Sequence, residues 1–183
     1  MSYADGVNLE PSFSPSAVVV QKALDSGVAF TSNQVNYQLI LGGRAIAKSD
    51  NSASARSAHS LASNLWSDEH GPYLISIGAD GRSSNSSLST SGVNFRQIAY
   101  NPETGNVAVM SGNIVVKISP NYSAESIAAT YNINLTDNFE DISFAWYQVT
   151  TGQNIFTIAQ NLRGHPGVVT ADIEVREDYR QAR

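Results

Sequence analysis

Between Asn113 and Arg183 the chain alternates short apolar runs with two amphipathic helices, and this order constrains the fold more than any other feature. The run Asn113-Ile114-Val115-Val116-Lys117-Ile118 reads as a strand that stops at Ser119-Pro120. A helix is expected from Ala124 to about Tyr131, with Ile127 and Tyr131 on one face and Ala124 and Ala128 beside them. Phe144 to Val149 reads as another strand, and Asn154 to Arg163 as a second helix. Ile155, Ile158, Ala159 and Leu162 fall at i, i+3, i+4 and i+7, and Gly164 ends the pattern. His165-Pro166-Gly167 then turns the chain into a Val-rich strand. Each helix has one apolar face that must be covered, and a sheet is the available cover. Ile133 to Leu135 supplies a fourth strand, expected to pair with Ile142 to Val149 across a turn at Asp137-Asn138.

Upstream, residues 1–16 carry Pro11 and Pro15 among small polar residues and read as an arm, and Ala17 to Leu24 is too short to assign. Gln34 to Leu41 is a strand closed by Gly42-Gly43, with Arg44 to Ala47 expected to return as the second arm of a hairpin. Ala58, Leu61, Ala62, Leu65 and Trp66 lie at helical spacing, with His59 at the edge of that stripe. Pro72 to Ile77 is a strand, and the Ser-rich run Arg82 to Gly92 a solvated loop. Phe95 to Tyr100 and Asn106 to Met110 flank Asn101-Pro102-Glu103-Thr104-Gly105, a turn with Pro early and Gly late. Ser111-Gly112-Asn113 reads as a further turn, so residues 93–118 form a three-stranded meander that joins both halves of the chain in one sheet.

Chemistry-bearing motifs are few. A formal net charge of -5 opposes binding to a phosphate backbone, which needs clustered Lys and Arg, and nucleic acid is excluded as a partner. Without cysteine there are no disulfides, thiolate metal sites or cysteine nucleophiles. His59, His70 and His165 show no metal-binding spacing, and Asp137, Glu140 and Asp141 read as a solvated turn, so no cofactor or metal is expected. There is no Gly-x-Ser-x-Gly elbow and no phosphate-binding glycine loop, which argues against an independent enzyme. No apolar run reaches the roughly 18 residues of a membrane helix.

Taken with Tyr147-Gln148-Val149-Thr150-Thr151-Gly152-Gln153 and the run from Ile158 to Asp172, the element order resembles the propeptides of subtilisin-like serine proteases, over roughly residues 112–183. The resemblance implies a non-catalytic prodomain whose sheet packs on two surface helices of a cognate protease domain, in cis or in trans. It implies that Asp172 and Glu174 approach the helix N-termini of that protease, where exposed N–H groups and the helix dipole favour carboxylates. It also implies that Val175 to Arg183 lies extended along the substrate cleft, with Tyr179, Arg180, Gln181, Ala182 and Arg183 as the inhibitory tail. A secreted or periplasmic setting follows, as part of an exported precursor. The expected fold is α+β: a β-rich module with one short helix over residues 1–111, then a ferredoxin-like split βαβ unit of two helices on an antiparallel sheet over 112–183. The expected function is intramolecular chaperone and temporary active-site inhibitor. A stand-alone inhibitor or external chaperone, and a non-catalytic β-rich binding module, are the alternatives.

Overall fold

The computed structural model describes residues 17–49, 64–78, 95–150 and 152–177. The expected N-terminal arm, His59 with most of its helical stripe, the Ser-rich run 82–92 and the tail residues Tyr179, Arg180, Gln181, Ala182 and Arg183 lie outside them. The elements in order are α1 (Ala17–Ser26), β1 (Ala29–Ser32), β2 (Val35–Leu39), β3 (Gly43–Ala47), β4 (Asn64–His70), β5 (Tyr73–Gly78), β6 (Ile98–Tyr100), β7 (Val107–Ile118), α2 (Ala124–Tyr131), β8 (Asn134–Phe139), β9 (Phe144–Gln148), α3 (Ile155–Arg163) and β10 (Val168–Arg176). The architecture is α+β, with antiparallel strand pairs throughout the described residues.

The 12-residue β7 is the spine. One edge pairs with β6 through Val107 to Val109 and then with β9 through Asn113 to Lys117, while β10 runs along the other edge. From β7 onward the order is strand, helix, strand, strand, helix, strand, and in space the four strands stand β10-β7-β9-β8. Both helices form where the periodicity placed them. Ser123 accepts from the Ser126 N–H at the start of α2, Asn154 accepts from Phe156 and Thr157 at the start of α3, and Gly164 closes α3. Their buried residues Ile127, Ile158 and Leu162 pack with Ile114, Val116, Ala145, Tyr147, Ala171 and Ile173 in one core. Tyr147 is fully buried, and its hydroxyl donates to the Ala124 carbonyl at 3.0 Å, tying the sheet to the first turn of α2.

Three local expectations are corrected by long-range pairing. Ser111-Gly112-Asn113 is a bulge and not a turn: Ile173 faces Ile114 and Val175 faces Met110, so these three residues all oppose Glu174. Gly112 takes φ +87° there, and strand β7 continues because β10 bridges both sides of the bulge. Gly42-Gly43 closes no hairpin. Strand β2 pairs with β1 and β6, whereas β3 belongs to a second sheet of order β3-β5-β4. At the crossing the Ile40 N–H donates to the Ile98 carbonyl at 3.0 Å. A Cβ on Gly43 would meet Ile98 Cγ1 at 2.4 Å, so only glycine admits this approach. Leu65 and Trp66 lie in β4, where Trp66 faces Ile77, because cross-strand pairing with the buried face of β5 outweighs helical spacing. A smaller correction concerns the β8–β9 connection, which is a single helical turn at Glu140–Ile142, with Asp137 and Asn138 inside the ladder.

The second sheet and α1 cover the face of β6 and β7 that the other two helices leave bare, through Val19, Ala23, Ile40, Ile75, Ile77, Ile98 and Val109. The first sheet also curls, so that β1 returns to the outer edge of β10. The Ser32 hydroxyl donates to the Ile173 carbonyl at 2.6 Å, and Arg163 donates to the Ala171 carbonyl at 2.8 Å and to the Thr31 carbonyl at 3.4 Å. Side chains close this seam.

Candidate functional site

Alternation along the strands leaves one face of β10-β7-β9-β8 without helices. Because Ile114, Val116, Ala145, Tyr147, Ala171 and Ile173 point into the core, their neighbours Val115, Lys117, Phe144, Trp146, Asp172 and Glu174 point to the other side. Strand β8 adds Phe139 opposite Phe144 and Asp137 opposite Trp146. The Phe139 and Trp146 rings meet edge to face at 5.1 Å, Phe144 lies 6.3 Å from Trp146, and the Lys117 ammonium sits 5.9 Å above the Phe144 ring. Phe139 is 49% exposed and nearby Ile142 58%. A cluster of exposed aromatic and aliphatic side chains on a sheet face without helices marks a face suited to a partner.

Asp172 and Glu174 lie on this face beside the patch, as their spacing predicts, but in different environments. Asp172 is 28% exposed at its side chain and lies 3.8 Å from Arg163. Glu174 is 20% exposed and is engaged within the fold. Its carboxylate accepts from Asn113 Nδ2 at 3.0 Å and from Arg176 at 3.1 Å, and the Ser111 hydroxyl donates to its backbone carbonyl at 3.3 Å. Burial alone would raise the Glu174 pKa, but the polar side chains of Ser111, Asn113 and Arg176 around it outweigh it and hold the carboxyl below its ordinary value. Glu174 therefore fastens the β7 bulge, while Asp172 carries one long ion pair, to Arg163.

Sequence reasoning began the extended tail at Val175, and the structure moves that start. Val175 pairs with Met110 and Arg176 with Val109, so the ladder runs two residues further than expected. The residue after it, Glu177, is held by four side chains from the N-terminal half. Tyr37 donates to its carboxylate at 3.1 Å, Asn101 Nδ2 reaches both oxygens at 3.1 and 3.0 Å, and Thr104 donates a short hydrogen bond. His70 Nε2 lies 2.7 Å from the Glu177 carbonyl oxygen. Asn101 is itself fixed, since its Oδ1 accepts from the Glu103 and Thr104 N–H groups in the β6–β7 turn. Burial works against the Glu177 charge, and the Thr104, Asn101, Tyr37 and Asn106 side chains more than compensate, lowering its pKa. Burial and the adjacent carboxylate push the Tyr37 phenol up to about 12. Nothing in the sequence pointed to Glu177, because its partners stand 140, 107, 76 and 73 residues away and share no motif with it.

The family model of the open reading frame 2 N-terminal domain matches residues 21–182. The chain belongs to this family. The match spans both sheets and includes most of residues 112–183, the stretch whose sequence resembles subtilisin-like protease propeptides. No curated protein matches it. Among solved structures, a chain in the crystal structure of the Aeromonas sobria serine protease (ASP) and chaperone (ORF2) complex is similar at 18% identity and a TM-score of 0.40. That similarity covers 54% of this chain and 100% of the other.

Proposed function

We propose that this chain is a non-catalytic chaperone and temporary inhibitor of an exported, subtilisin-like serine protease, with residues 112–183 acting as a prodomain-like unit of ferredoxin-like split βαβ topology. The observation that carries the reading is the helix-free face of β10-β7-β9-β8, with Phe139, Phe144 and Trp146 at one side and Asp172 and Glu174 at the other. A partly apolar sheet face bordered by carboxylates is complementary to a pair of protease surface helices: the rings cover apolar helix sides, and Asp172 meets an N-terminus. Glu174 shapes the same border by fastening the bulge and keeps lone pairs to accept from the partner.

In this mechanism the sheet face supplies a template on which the two protease helices order, lowering the folding barrier of the protease. The chain after Glu177, including Tyr179, Arg180, Gln181, Ala182 and Arg183, then occupies the cleft as an extended strand and inhibits as a slowly released product. The docking surface is the same whether the chain precedes its protease or is supplied separately, so the mechanism applies in cis and in trans.

The test is to add the purified chain to a panel of subtilisin-like proteases, measuring inhibition of the native enzymes and refolding yield of the denatured ones. Tight inhibition is expected, lost when residues 178–183 are replaced by glycine and serine, together with a refolding yield that falls in Phe139→Ser/Ile142→Ser. A folded chain that neither inhibits nor refolds any member would instead support a non-catalytic binding module.

A further inference from the structure

The N-terminal half of the chain has no assigned purpose beyond its own fold, yet three of its elements converge on one residue. Tyr37 comes from β2, Asn101 and Thr104 from the β6–β7 turn, and His70 from β4 of the second sheet. All four meet Glu177, the residue at which strand β10 has just ended. The last residue of an edge strand ordinarily frays, because little holds it once the ladder stops. Here its half-buried carboxylate is held by charge-assisted hydrogen bonds, and its carbonyl oxygen lies 2.7 Å from His70 Nε2. The curl of the first sheet serves the same end: Phe30, Val35, Tyr37, Ala99, Ala108 and Val175 pack together beneath this point.

We propose that Glu177 is a positioning residue, and that the N-terminal half functions to anchor it, so that the chain beyond it leaves the fold from a fixed place beside the docking face. The inference rests on the protease reading above and deepens it by assigning regulation of inhibitory strength to residues 17–110. A segment launched from an anchored point enters a cleft with less ordering on binding than one launched from a frayed strand, which strengthens its engagement without new contacts.

Two full-length variants break the anchor from opposite sides: Glu177→Gln, and the double change Tyr37→Phe/Thr104→Val, which leaves β10 untouched. The first readout needs no protease. Hydrogen exchange of the Val175 to Glu177 amides, and tryptic cleavage after Arg176, should quicken at least about tenfold in both variants, while Ile114 to Ile118 stay protected. The second readout is affinity for a subtilisin-like protease, expected to fall roughly tenfold because the segment must then be ordered on binding. In a background whose residues 178–183 are all glycine and serine, Glu177→Gln should cause no further loss, since a residue acting through the tail is silent once the tail is disabled.

Unchanged exchange and cleavage in both variants would overturn the anchor. So would an equal loss of affinity in the two backgrounds, which would mark Glu177 as a general stabiliser. A wild-type chain that binds no subtilisin-like protease fails the protease reading, and the exchange comparison then decides by itself whether Glu177 is anchored.

Discussion

At the scale of single residues, two carboxylates accept hydrogen bonds from residues 61 to 140 positions away, and both favour the charged form. Glu174 and Glu177 are more acidic folded than in an unfolded chain, where the ordinary value is 4.5. Their contribution to stability is therefore complete above that value and is lost as pH falls through the lower folded values, where the native state must take up protons. Urea midpoints measured from pH 7 to pH 3 should show an acid limb that Glu177→Gln makes shallower, with lower stability at neutral pH. An acid limb of unchanged slope in that variant would mean the Glu177 hydrogen bonds do not favour its charged form. Asp172 and Glu174 could be picked out from their alternate spacing in a Val-rich strand, but which of them is engaged could not. That depends on Asn113 and Ser111, brought opposite Glu174 by a bulge on another strand.

At the scale of elements, two glycines fix the path of the chain for different reasons, and substitution separates them. Gly112 has open space around its missing Cβ but φ +87°, so Gly112→Ala should cost about 1–2 kcal/mol through backbone strain alone. At Gly43 the cost is steric, since a Cβ would strike the fully buried Ile98 side chain. Gly43→Ala should lower stability by about 1–3 kcal/mol. Adding Ile98→Ala should then cost less than the two single changes summed. Chemical denaturation of the four variants checks both points. The two C-terminal helices were readable because 3.6-residue periodicity and caps are local signals, whereas α1 (Ala17–Ser26) is too short a run to assign from sequence. The hairpin expected at Gly42-Gly43 failed because two glycines mark unusual backbone without saying which strand follows in which sheet.

At the scale of the whole molecule, β7 belongs to both halves, contributing Ile114 and Val116 to one core and Val109 to the other. Such sharing predicts one cooperative unfolding transition. The chain has two tryptophans, Trp66 packed against the second core and Trp146 on the helix-free face. Fluorescence melts of Trp66→Phe and Trp146→Phe should therefore give coincident midpoints once corrected for each variant's stability by circular dichroism, and separated transitions would show two independent units. The proposed docking face belongs to this scale too. Asp172→Asn should weaken protease binding by about 0.3–2 kcal/mol, the range for a carboxylate at a helix N-terminus, while leaving the melting temperature nearly unchanged. Competition binding against the wild-type chain measures it, and full binding by Asp172→Asn would remove Asp172 from the interface.

The sequence by itself determined the helices of the C-terminal half, the turn at Asn101 to Gly105, the strands around them and the order that points to a protease prodomain. Each of these depends on residues within one or two turns of chain, where periodicity and capping act directly. Tertiary structure decided the rest: that β2 and β3 part into different sheets, that Ser111 to Asn113 bulge where a turn was expected, and that Glu177 is anchored by the N-terminal half. These outcomes depend on which distant surfaces can be buried together and which polar groups must find partners once they are. Residues 73 to 140 positions apart meet at Glu177 only because both sheets, folded around β7, bring them there.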